Sequence, residues 1–363
     1  MTSPTPGPYR STGADLPLGD PLPWHGVSME GYFWRLTDPD SGRVVIALIG
    51  INTPQEGPQW ATVGIAAEPG GLLRTAELPA ARANPAALGA WAGRSPLPRS
   101  LTGRPPAPSF PDDGVLATAS IAQFALEDSA VSIEIRDPRP WPRALFGGSS
   151  YFQTVPGLNQ YWHPWLLGGS AHGHVVLAGE RIEVDGWQVY GEKNWGRGGF
   201  PEAWWWGQAQ GFDEPEACVA FAGGVITAGP EIAGRRWSTE VTALVVALPD
   251  GRVVRLGNPV TSPVQAEVSP GSWRLRGRSW RWQIEVDADA PPDEAFVLPV
   301  PLVEERRNAP GDLEHLRGHL TVRVREFGRE VWSGQTHLAA LEIGGRDRAE
   351  AELARRGGDP SPL

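Results

Sequence analysis

Tyr190-Gly191-Glu192-Lys193-Asn194-Trp195-Gly196, then Gly199-Phe200-Pro201, then Ala203-Trp204-Trp205-Trp206-Gly207-Gln208-Ala209-Gln210-Gly211 is the stretch on which the fold turns. Both flanks alternate at period two, as strands do, and the glycines and proline between them read as a join. Tyr190, Glu192 and Asn194 share one face of the first strand, with Lys193 and Trp195 on the other. Trp204, Trp206, Gln208 and Gln210 share a face of the second, opposite Trp205, Gly207, Ala209 and Gly211. Two indoles beside two carboxamides suggest a cavity wall, because a sealed core would exclude the amides. The small-residue face suits close packing. Lys193 is the single lysine of the chain.

Short β-rich runs extend in both directions from this join. Gly31 to Leu36, Arg43 to Ile51 and Trp60 to Ala67 are separated by turn chemistry at Asp38-Pro39-Asp40-Ser41-Gly42 and Asn52 to Gly57, which predicts a meander. Val115 to Leu126, Val131 to Arg136, Ala171 to Leu177, Arg181 to Val184 and Gln188 to Glu192 bring the first set to about nine. Residues 76 to 93 are Ala-rich and suggest a short helix, and the proline-rich stretch 94 to 114 a loop. The second set runs from Ala203 through Ala217 to Thr227, Glu240 to Leu248, Arg252 to Leu256, Trp273 to Gly277, Trp280 to Asp287, Leu320 to Glu326 and Glu330 to Ile343. The expectation is an all-β chain with very little helix, two antiparallel barrels or sandwiches side by side. Its expected parts are a flexible tail over 1–23, β domains over 24–197 and 198–345, and a polar tail over 346–363.

At 363 residues the chain can bury two cores. A formal net charge of −10 without clustered Arg or Lys argues against nucleic acid. Cys218 stands alone in an apolar run and suits a reducing compartment. The apolar runs Val44 to Ile51 and Thr242 to Leu248 are of strand length, and nothing N-terminal reads as a leader, so a soluble cytoplasmic protein is expected. Seventeen Trp are many for a core alone and suggest a lined groove. His172-Gly173-His174, with His163 nearby, is a plausible start for a metal site that lacks a third ligand, so half-exposed strand histidines are the preferred reading. No nucleophile elbow and no phosphate-binding loop is found. Neither metal nor cofactor is expected.

The central motif resembles that of the tocopherol cyclases and their bacterial relatives. Glu30-Gly31-Tyr32-Phe33-Trp34 is similar to the family's first strand, Trp162-His163-Pro164-Trp165 with Gly168-Gly169 to its aromatic stretch, and Ala340-Leu341-Glu342-Ile343-Gly344-Gly345 to its ending. The resemblance spans most of residues 24 to 345. It implies two lipocalin-like β domains, as in the related carotenoid hydratases, although the first half is shorter than in the plant enzymes.

What the resemblance implies chemically is proton-initiated ring closure. An acid protonates an alkene of a prenyl tail, and a phenolic oxygen traps the cation to give a chromanol. The acid must be a carboxyl kept neutral by a dry pocket. Glu192 is the first candidate, ahead of Glu30 and Glu342. Trp204 and Trp206 would stabilise the cation, and Asn194 and Gln208 would orient the phenol. Lys193 would bind an anionic head group or a carboxylate across the interface, or else pair with a structural carboxylate away from the pocket; alternation leaves both open. Tyr190, Trp195, Trp162, Trp165 and Glu30 complete the expected substrate-binding set. The expected partner is a hydrophobic prenylated small molecule, with transient contact at a membrane surface. Two alternatives stand beside the cyclase: a hydratase in which water replaces the phenol, and a carrier that sequesters its ligand unchanged.

Overall fold

A computed structural model describes residues 7–86, 89–93, 113–232 and 235–358, without the side chains of 228–232 and 235–237. It is an all-β protein of two antiparallel sheets packed side by side. The first holds β1 (Met29–Asp38), β2 (Arg43–Asn52), β3 (Trp60–Glu68), β4 (Leu72–Pro79), β5 (Arg82–Asn84), β6 (Gly89–Gly93), β7 (Gly114–Thr118), β8 (Ile121–Leu126), β9 (Ser129–Arg136), β10 (Tyr161–Leu166), β11 (Ser170–Leu177) and β12 (Glu180–Gly196). The second holds β13 (Trp204–Ala209), β14 (Cys218–Ile232), β15 (Arg235–Ala247), β16 (Val253–Leu256), β17 (Val264–Ser269), β18 (Ser272–Arg278), β19 (Trp282–Asp289), β20 (Phe296–Leu302), β21 (Arg307–Glu326) and β22 (Arg329–Gly344).

In the first sheet the order is β4-β3-β2-β1-β12-β11-β9-β8-β7-β6-β5, and β4 returns against β6 and β8, so the sheet curls over its own core. In the second, β16-β15-β14-β13-β22-β21-β19-β18-β17 closes where β17 meets β15. The central strands are buried on both faces. On β2, Val45, Ala47, Ile49 and Ile51 enter the core of the first sheet, whereas Val44 and Ile46 face Leu298, Leu316 and Leu338 of the second. This explains the unbroken apolar run there, since a strand covered on both sides has no solvent face to mark.

The structure corrects several boundaries. Where it is described, the Ala-rich stretch is not helical: β4, β5 and β6 occupy it, because cross-strand pairing overrides even the strong local helical preference of alanine. The proline-rich loop lies outside the described residues except at its end. Val115 to Leu126 divides into β7 and β8, while Arg181 to Glu192 is one strand with a bulge at Gly186, whose φ of 76° only glycine adopts cheaply. Strand β21 begins at Arg307, well ahead of Leu320.

Nor are residues 7–22 a free tail. A short helix, α1 (Gly7–Ser11), buries Tyr9, and the segment beyond it buries Ala14, Leu18 and Leu22. The apolar side chains hold the strap down. A C-terminal helix, α2 (Arg346–Arg355), packs Ala349 into the core of the second sheet. Among the described residues no helix is long and apolar enough to cross a membrane.

Candidate active site

A half-open cavity of about 300 Å³ lies between the two sheets. Strand β12 supplies Glu192 and Asn194, β10 supplies Trp162, and β13 supplies Trp204 and Trp206. Gly207 lets β13 lie flat, because a Cβ there would come 2.3 Å from the Phe221 ring. Trp205 turns to the core of the second sheet and donates its Nε1–H to Thr242 Oγ1 at 3.1 Å.

Glu192 is the centre of this wall. Its Oε2 accepts from Trp162 Nε1 at 2.8 Å, Tyr190 Oη at 2.6 Å and Trp206 Nε1 at 2.9 Å. Its Oε1 has no partner among the described residues, and the side chain lines the cavity. Burial pushes the Glu192 carboxyl up to about 7, and the three donors moderate that rise by favouring the charged form. A proton on this group therefore belongs on Oε1, the oxygen left open to the cavity.

A carboxyl trio shares the cavity. Glu342 on β22 pairs in register with Trp206 on one side and with Glu314 of β21 on the other. Candidate ligand atoms of Asp312, Glu314 and Glu342 lie within 4.8 Å of one another. Burial, reinforced by mutual repulsion, holds Asp312 and Glu314 well above the ordinary carboxyl range, and Glu342 is pushed up to about 7. Trp204 Nε1 donates to Glu342 Oε1. Like charges so close cannot all ionise, so the trio retains protons at neutral pH. Among the described residues these are the one group spaced to hold a cation, and their protons compete for the same lone pairs.

Asp312 and Glu314 escape a sequence reading because Pro310 and Gly311 disguise the start of β21. The signal is the alternation of Asp312, Glu314 and Leu316 against Leu313 and His315, which becomes legible once the strand is extended.

The other expected site residues separate into distinct places. Lys193 leaves the cavity: its Nζ donates to the Gly19 carbonyl at 3.1 Å and sits 4.0 Å above the Trp195 ring. Burial lowers its pKa to about 8, offset by Glu30 and Asp20. Trp195 stacks on Tyr161 and donates to Asp20 Oδ2 at 3.0 Å. Glu30 accepts from Tyr32 Oη on that same reverse face. The cause is strict alternation, which sends Lys193 and Glu192 to opposite sides of β12. Trp165 belongs to the core of the first sheet, beside Trp34 and Phe124. Gln208 accepts from Arg35 Nη1 at 3.0 Å in the contact between sheets. His172 pairs with Asp185 at 3.0 Å on the surface, and His163 is buried against Trp141.

The family model described as tocopherol cyclase-like matches residues 26–345, nearly the whole of both sheets. The chain belongs to the tocopherol cyclase-like family. Curated proteins similar to it include a "Probable tocopherol cyclase, chloroplastic" of Oryza sativa subsp. japonica, 27% identical over 206 residues, and "Tocopherol cyclase, chloroplastic" of Zea mays, 24% identical over 213 residues. Each match covers 54% of this chain and 42% of the relative, so the likeness spans less than half of the plant proteins. A crystal structure of an AttH-type protein from Nitrosomonas europaea aligns with TM-score 0.45 at 12% identity, covering 88% of this chain and 93% of that one. Within this tocopherol cyclase-like chain, Glu192 and Trp206 come from the central motif, and Glu342 from its C-terminal ending.

Proposed function

We propose that this chain is an isoprenoid cyclase, an intramolecular lyase that closes a prenylated quinol to a chromanol. Glu192 gives the proton on Oε1 to one carbon of a trisubstituted alkene, leaving a tertiary cation on the other. The phenolic oxygen forms the new C–O bond and loses its proton to a carboxylate of the cavity, so the product is an isomer of the substrate. The faces of Trp162, Trp204 and Trp206 stabilise the cation by about 0.5–2 kcal/mol each, and Asn194 orients the phenol.

One observation carries this reading: Oε2 of Glu192 takes three donors while Oε1 stays open, at a pKa near neutrality. A carrier needs only apolar walls, and burying four carboxyls costs it stability without return. The reading also includes a cytoplasmic protein that collects its ligand from a membrane surface. Half-exposed Phe146 and Tyr151 make an aromatic chain with Phe152, which lines the cavity.

The test is incubation with prenylated quinols and linear carotenoids in heavy water, followed by mass spectrometry. An isomer carrying one carbon-bound deuterium supports the cyclase. Addition of the elements of water would transfer the proposal to the hydratase, and bound but unchanged lipid would overturn catalysis in favour of a carrier.

A further inference from the structure

Strand β16 reads Val253-Val254-Arg255-Leu256, and its alternation is decisive. Val254 and Leu256 enter the core of the second sheet, so Val253 and Arg255 face the first sheet and the cavity between them. Arg255 Nε donates to the Gly148 carbonyl at 3.0 Å. That carbonyl is held in place from both sides: Gly148 N donates to His163 Nδ1 at 3.2 Å, and Gly147 N to Tyr9 Oη at 3.0 Å. The two Nη groups of Arg255 make no hydrogen bond and no ion pair among the described residues, although burial lowers its pKa to about 10 and the group stays charged at neutral pH.

This contrasts with Arg35, whose guanidinium is fully buried between the sheets, whereas Arg255 is half-buried. Arg35 uses both Nη atoms, on Thr37, Gln208 and the carbonyls of Leu316 and Leu338. A charged guanidinium that lines a largely apolar cavity with its two N–H₂ groups unpaired is available to a partner from outside the chain. The two Nη groups left free by the Nε bond present a planar fork that a carboxylate fits through two parallel hydrogen bonds.

The position of Arg255 sets the direction in which a ligand must lie. It pairs with Val245 on β15, which pairs with Ala220 on β14, which pairs with Gln208 on β13, two residues from Trp206. Three strand spacings amount to about 14 Å. Between the two strands this face carries small side chains, Ala220, Ala222 and Ala243, and Glu342 and Glu314 lie on the two strands beyond β13. The cavity is therefore cationic at one end and carboxylic at the other. A ligand bound in reverse would leave its anion without a cationic partner.

We propose that Arg255 is a head-group anchor and that the ligand of this cavity is a prenylated phenol bearing a ring carboxylate, held at Arg255 with its alkenes turned towards Glu192. This deepens the cyclase reading and rests on it for the role of Glu192, but the recognition step can be measured without turnover.

The probes are a farnesyl-substituted hydroxybenzoate and its methyl ester, titrated against the full chain by quenching of tryptophan fluorescence. The acid should bind at least tenfold more tightly than the ester. Arg255→Met should bring the two within about twofold, and Arg255→Lys should keep part of the preference. Equal affinity of acid and ester for the native protein overturns the anchor, and that comparison needs no variant to fold. A preference that survives in Arg255→Met overturns it too. The same probes in heavy water separate the two proposals. A preference for the acid with no deuterated isomer from any substrate retains the anchor and removes the cyclase. Deuterated isomer formed from acid and ester alike, at equal affinity, does the reverse.

Discussion

Trp206 Nε1 and Glu192 Oε2 meet at 2.9 Å across the boundary between the sheets, the indole from the second and the carboxyl from the first. The hydrogen bond ties the acid to a wall that its own sheet does not supply. Neither half of the chain holds the site alone.

Glu192→Gln keeps an oxygen for the three donors but has no proton of suitable acidity. Turnover should fall by about 10²–10⁴, the usual weight of a positioned acid, while affinity for the unreacted substrate changes less than about threefold. Single-turnover product analysis beside a fluorescence titration checks both. Undiminished product would remove Glu192 from the mechanism.

Trp206→Phe deletes one donor to Oε2. Because that hydrogen bond favours the carboxylate, its loss should raise the Glu192 pKa further and move the high-pH limb of the rate profile upward. A limb that stays in place, or moves down, would show that another group titrates.

Stability should also depend on pH with a definite sign. Glu192 and Glu342 rise from 4.5 to about 7 on folding, and Asp312 and Glu314 also rise. The folded state binds more protons, so their contribution is complete below about pH 4 and is lost as pH climbs through the folded values. Each titrating group contributes a slope of up to about 1.4 kcal/mol per pH unit. Urea unfolding between pH 5 and pH 8 should show decreasing stability, and the Glu192→Gln, Glu342→Gln double variant a flatter dependence.

Lys193→Met should act on the strap. It removes the bond to the Gly19 carbonyl and the cation over Trp195, so a loss of about 1–3 kcal/mol and faster proteolysis within residues 10–20 are expected. The rate of the chemical step should not change. A specific loss of that rate with an intact strap would return Lys193 to the site.

Arg35→Met tests how the halves are joined. From β1 its guanidinium reaches Gln208 of β13 and carbonyls of β21 and β22. Calorimetry should resolve the native transition into two at lower temperature, one for each sheet. A single transition shifted as a whole would mean that the apolar contacts suffice to couple them.

Period-two alternation is a local property, and it was enough to predict an all-β chain with its join between Gly196 and Trp204. Glu192 is singled out by the likeness of the central motif to the tocopherol cyclases and by that chemistry's need for a carboxyl in a dry pocket. Alternation also separates Glu192 from Lys193, but it cannot say which face meets the cavity; that depends on β12 lying between β1 and β11, with β10 covering its end. The strap was unreadable because its apolar side chains have no period, and their burial depends on strands that come later in the chain. Asp312, Glu314 and Arg255 come to line the cavity only in the folded protein. Each comes from a strand far from the motif in sequence, and its meaning depends on the register that carries it to the wall opposite Glu192.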